Sequence, residues 1–203
     1  YSDNNTDHVP VLYIEQEGDG KKLHLEVINK DKKQLNILQA TGPAAEKEYH
    51  FQLNFRPGTL SDNFLKKKIK AGATTIGNWS VLVGTDQSSG TDYINFLRTG
   101  ASIALKQNEG HTIVIDGVNA NAMGGARNTN VEFEYKKVRL GKTEPLTPLS
   151  TIKGSRIQSL SIVSHLGQKD IPLHVDVVGA PVILNDGSTK NELLFRIENT
   201  SSN

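Results

Sequence analysis

Apolar and polar residues alternate along most of this chain with a period of two, the spacing that turns one face of a β-strand to a core and the other to water. The cleanest run is 48–55, with Tyr49, Phe51, Leu53 and Phe55 on one face and Glu48, His50, Gln52 and Asn54 on the other. The same alternation carries Leu23, Leu25 and Val27, then Trp79, Val81 and Val83, then Ile113 and Ile115, then Val131, Phe133 and Tyr135. Further strands are expected at 11–15, 93–98, 101–105, 157–163, 173–178 and 193–198. Thr41-Gly42-Pro43 and Arg56-Pro57-Gly58 break the pattern, and Thr99-Gly100 reads as a hairpin turn between two of the runs. Only 60–70 has helical spacing: Leu60, Phe64, Leu65 and Ile69 share one face, although the ends lack strong caps. Many short strands with one short helix predict an all-β fold, an antiparallel β-sandwich of immunoglobulin-like or jelly-roll-like kind. The missing helical periodicity argues against an α/β sheet with crossover helices.

Two stretches share a plan. His8–Asn29 runs Val-Pro-Val-Leu-Tyr-Ile-Glu, then Gly-Asp-Gly, then Leu-His-Leu-Glu-Val-Ile-Asn. Residues 170–199 run Ile-Pro-Leu-His-Val-Asp-Val-Val, then Asn-Asp-Gly, then Glu-Leu-Leu-Phe-Arg-Ile-Glu-Asn. Pro10 answers to Pro172, Gly20 to Gly187 and Asn29 to Asn199. The pair reads as the opening strands of two modules, the second incomplete. The expected organisation is a disordered tail at 1–7, a sandwich at 8–140, a linker at 141–154 containing Thr-Glu-Pro-Leu-Thr-Pro-Leu, and C-terminal strands at 155–203 that form either a partial second module or an extension of the first. An incomplete module presents an unpaired strand edge, so self-association through 170–199 is expected.

Composition narrows the chemistry. The 203 residues carry a net charge of +1, and Lys66-Lys67-Lys68 with Lys70 is the one dense basic cluster. Counterion displacement from nucleic acid needs more than that, so nucleic acid is not an expected partner. Cysteine is absent, which excludes thiol catalysis and disulfides. No apolar run approaches the roughly 20 residues of a membrane-spanning helix.

Motifs for chemistry are sparse. Glu15-x-Glu17-x-Asp19-Gly20 followed by Glu26 resembles a calcium loop, but its strand flanks and long acidic side chains favour a plain β-turn. None of the six histidines falls in an HxH or HExxH pattern, and His24, His50 and His174 alternate with apolar residues, which points them to a polar face. GxSxG, GxGxxG and GxxxxGK[ST] are absent, so neither catalytic residues nor a cofactor is expected. The loop 117–130 is the first candidate for a ligand or partner surface, through Asn119, Asn121, Arg127 and Asn128, with a long connecting loop as the plainer alternative. Asp86 and Gln87 in the loop 84–92 are the second. Trp79 reads as core.

The repeated strand ending, Glu-Val-Ile-Asn-Lys at 26–30 and Arg-Ile-Glu-Asn-Thr at 196–200, resembles an early strand of the immunoglobulin-like modules strung along bacterial surface, fibre and phage-tail-like proteins. That resemblance implies a spacer or adhesive unit. The expected function is a non-catalytic structural or adhesive module of an extracellular or particle-borne assembly, mediating contact with other protein chains. A carbohydrate-binding module taking a glycan is the alternative; aromatic residues, at 6% of the chain, are few for stacking on sugars.

Overall fold

The computed structural model of the chain describes residues 10–14, 22–123, 125–141, 151–163, 173–178 and 194–199. The chain divides into two compact units, Tyr1–Val163 and Ser164–Asn203. Strands dominate both, and the fold is all-β with one helix among the described residues.

The first unit is built on a mixed sheet. Its strands are β1 (Val11–Tyr13), β3 (Leu35–Ile37), β4 (Phe51–Phe55), β5 (Thr74–Ile76), β6 (Trp79–Thr85), β7 (Asp92–Arg98), β8 (Ile103–Leu105), β10 (Arg127–Leu140) and β11 (Thr151–Val163). Their order is β1-β11-β10-β4-β7-β6-β5, with β3 bridging the far end of β10 to β8. A separate ribbon pairs β2 (Leu23–Ile28) with β9 (Gly110–Ile115). Leu23, Ile113 and Ile115 of the ribbon belong to the same apolar core as Leu53, Phe55, Val83 and Ile94 of the sheet. Burial of these side chains is the main stabilising term. In the second unit β12 (Leu173–Val178) pairs antiparallel with β13 (Leu194–Asn199).

Several expectations change. The sheet is not antiparallel throughout, because β1 runs parallel to β11 with Val11 opposite Ser161. Thr99-Gly100 does not close a hairpin: β7 pairs with β4 and β6, while β8 pairs with β3. Strand β11 starts at Thr151, inside the stretch expected as a linker, and its ladder with β10 holds residues 151–163 in the first unit. The helix α1 (Asp62–Ala71) does have caps. Ser61 accepts a hydrogen bond from the Phe64 N–H, and Gly72 closes the last turn at φ 67°.

The alternation also changes phase at the start of β4. Phe51 is the last residue to pair with both neighbours, opposite Phe96 of β7 and Tyr135 of β10. Beyond Tyr135 a bulge at Lys136 and Lys137, the latter at φ 58°, shifts the register of β10 against β11. Bulges re-aim side chains. Tyr49 therefore parts from Phe51 and joins the outer face, where it hydrogen-bonds Glu134. His50 turns inward and is only 2% exposed, not on the polar rim. It meets Trp79 edge-on at 6.4 Å between ring centroids, and its Nδ1 accepts the Arg98 backbone N–H at 3.0 Å. Trp79 is buried as expected, its Nε1–H donating to His111 Nε2 at 3.2 Å.

Candidate recognition site

The outer face of β4, β7 and β10 forms a polar trough of about 350 Å³. Its floor follows from register: Asn54 lies opposite Glu132 on one side and Tyr93 on the other, and Gln52 lies opposite Glu134 and Asn95. These are the polar positions of three alternating strands, brought side by side by the sheet. The loop holding Glu46 and Lys47 forms one wall, and the loop 86–91 forms another.

The floor is tied together by its own hydrogen bonds. Glu134 accepts from Asn54 Nδ2 at 2.6 Å and from the Tyr49 hydroxyl at 3.0 Å. Gln52 Nε2 donates to Asn95 Oδ1 at 2.7 Å, and Asn95 Nδ2 donates to the carbonyls of Ala45 and Glu46 at 2.8 and 3.1 Å. Burial, then the hydrogen bond to Glu134, pushes the Tyr49 phenol up to about 12, so it stays a donor at neutral pH. The Lys136 ammonium sits 3.6 Å from the centre of the Tyr49 ring, a close cation–π contact. Its pKa is lowered, first by burial. Lys137, turned outward by the bulge, pairs with Glu48.

Tyr93 lies over Gly84, its cross-strand partner, where a Cβ would come within 2.3 Å of the phenol oxygen. Burial is the first cause of its raised pKa. Glu132, opposite Asn54, has no side-chain hydrogen bond among the described residues. Strand-mounted donors and acceptors fixed in this way can read a polar ligand with little reordering.

The residues expected from sequence are distributed otherwise. Asp86 alone lines the trough, and its carboxylate is spent on the turn, accepting from the Ser88 N–H and hydroxyl and the Ser89 N–H. Those bonds, the Ser88 hydroxyl first, lower its pKa. Gln87 is exposed and reaches the Thr85 carbonyl at 3.4 Å.

The first half of the 117–130 loop is core rather than open surface, with Val118 and Ala120 fully buried and Asn119 nearly so. The backbone of Ala120 bridges both Ile14 and Leu60, which accounts for that burial. Arg127 is a clasp: its guanidinium donates to the carbonyls of Gly125, Gly58 and Asn121. Asn121 donates to Asp62 at 3.3 Å and accepts from the Met123 N–H. Asn128 accepts from the Ser161 hydroxyl across β10 and β11. The calcium-like stretch 15–20, and His8 and His165, lie outside the described residues.

Sequence reading missed Gln52, Asn54, Tyr93, Glu132 and Glu134 as a group. Each sits on the polar face of a recognised strand, but their neighbourhood depends on strand order. Among the described residues no group of His, Asp or Glu is placed to hold a metal ion, and no helix is long and apolar enough to cross a membrane.

Fold and trough together define an all-β protein with a polar cleft on the face of its sheet. No protein-family model, curated protein or solved structure matches the chain.

Proposed function

We propose that the chain is a non-catalytic recognition module, a β-sandwich in which the β2–β9 ribbon supplies the second layer, and that it makes protein–protein contact through the trough. The wider setting is a structural or adhesive assembly outside the cell or on a particle. The observation that carries the reading is the acidic character of a rigid floor. Glu132 and Glu134 stand two residues apart on β10, with Glu46 and Asp86 in the walls. Of the two facing lysines, Lys136 is held against Tyr49. A partner presenting Arg or Lys side chains with flanking amides fits such a surface.

A glycan is the second reading, favoured by the amide and carboxylate groups of Gln52, Asn54 and Glu134, which suit sugar hydroxyls. Neither tyrosine stands out from the sheet as a stacking platform: Tyr49 carries Lys136 on its ring, and Tyr93 lies over Gly84.

Arrays of basic peptides, acidic peptides and glycans separate the two. Basic peptides are expected to bind, with NMR shifts at Asn54, Tyr93 and Glu132, and Glu132→Lys is expected to weaken them roughly tenfold. Equal binding of acidic peptides, unchanged by that substitution, would sink the protein-contact reading. Glycans that shift the same residues would move the reading to carbohydrate.

A further inference from the structure

A second cleft, of about 450 Å³, opens on the other face of the sheet, between β2 of the ribbon and strands β4, β10 and β11. Its volume lies within the roughly 300–1,000 Å³ typical of small-molecule sites. The sequence builds it with two kinds of wall. Phe55 of β4 and Phe133 of β10 form an apolar floor, and Leu25 and Val27 of β2 face them while remaining only half-buried. Strand β11 should continue this apolar stripe, because Arg156 stands opposite Phe133 and Gln158 opposite Val131 in the ladder. Instead it places an exposed guanidinium and an exposed amide there. Lys30, past the end of β2, adds a second cation. On β2, His24 and Glu26 alternate with Leu25 and Val27 and so belong to the strand's other face, where Glu26 Oε1 lies 3.7 Å from the Cβ position of Gly110. Arg156 and Lys30 against Glu26 leave cations outnumbering carboxylates two to one among the described lining residues.

Apolar side chains left half-covered beside a cationic rim match one kind of molecule. We propose that this cleft binds a small amphipathic anion, an alkyl or acyl chain ending in a carboxylate. The chain lies along Leu25, Val27, Phe55 and Phe133, and the head group pairs with Arg156. The trough lies on the opposite face, so this site is independent of the proposed protein contact. Hydrophobic burial supplies most of the affinity, and the guanidinium selects the head group through a charge-assisted hydrogen bond.

Decanoate and decanol, added to ¹⁵N-labelled full-length protein, form the test. Decanoate is expected to shift Leu25, Val27, Phe133 and Arg156 saturably while leaving Asn54 and Glu132 unmoved. Arg156→Ala is expected to weaken decanoate about fivefold and leave decanol unchanged; Arg156 is exposed, so the variant should fold. Val27→Trp, which fills the cleft, is expected to weaken both. Absence of saturable shifts with wild-type protein overturns the site, as do shifts confined elsewhere, including those of a second protein copy associating through this face. Equal loss of decanoate and decanol in Arg156→Ala overturns the assignment of the head group.

Discussion

His50 shows what one residue contributes when the alternation fails around it. Its Nδ1 accepts the Arg98 N–H, so the ring is neutral with its proton on Nε2. Burial first, then the positive charges of Lys137 and Arg98, pull its pKa down from 6.5 to about 4. His111 is in the same condition, lowered by burial and by Arg98, with its Nε2 accepting from Trp79. A lowered histidine pKa means that the unfolded chain takes up a proton which the folded chain refuses. The His50 contribution is therefore whole above pH 6.5 and drains away as pH falls toward about 4. Over that window the loss is about 3 kcal/mol. Denaturant titrations at pH 7 and pH 4.5 should show the wild type losing more stability than His50→Asn, whose Oδ1 can still accept from Arg98. Parallel losses in the two proteins would remove His50 from the acid response. In the sequence the residue was legible only as a polar position, because nothing local announces the bulge on a strand more than eighty residues away.

At the scale of elements, local signals did well and long-range ones did not. The spacing of Leu60, Phe64, Leu65 and Ile69 marks the helix, and α1 buries Phe64. Its N-cap is Ser61, one residue before Asp62, a single serine that in sequence looks like any other polar position. Because Ser61 is 1% exposed, its hydroxyl has no water to replace the Phe64 N–H. Ser61→Ala is expected to lower stability by about 1 kcal/mol, measurable as a drop in the thermal midpoint, whereas Ser61→Thr, which keeps the accepting hydroxyl, should retain most of it. An unchanged midpoint for the alanine variant would deny the cap any role. The Thr99-Gly100 turn failed for a different reason. Turn chemistry identifies a reversal of the chain, but β8 finds β3 and β7 finds β4, choices made by packing over the whole sheet. The trough was unreadable for the same cause, since Asn54 and Glu132 become neighbours only once β4 and β10 pair.

For the whole molecule, the sequence repeat meets two different pairings. In the first unit β1 and β2 do not pair with each other: β1 lies along β11, and β2 along β9. Their counterparts in the second unit, β12 and β13, pair together through six residues each. An alternating pattern specifies which face of a strand is apolar, not which strand lies beside it. Asn29, the residue that ends the first copy, shows what such a strand ending does where a full core surrounds it. It is buried, and its amide donates to the carbonyls of Lys33 and Leu105, pinning the following turn and the end of β8 to β2. Among the described residues the core of the first unit runs from Leu12 to Ile162, so a chain ending at Val163 is expected to melt cooperatively with the NMR spectrum of the first unit intact. A two-stranded ribbon by itself is marginal in water, and among the described residues β12 and β13 pair only with each other. The full chain is therefore expected to self-associate through 170–199, and sedimentation velocity should show a concentration-dependent dimer or larger species that the shortened chain lacks. Identical sedimentation of the two would place the contact elsewhere, and loss of the cooperative melt on shortening would mean that the first core depends on the second unit.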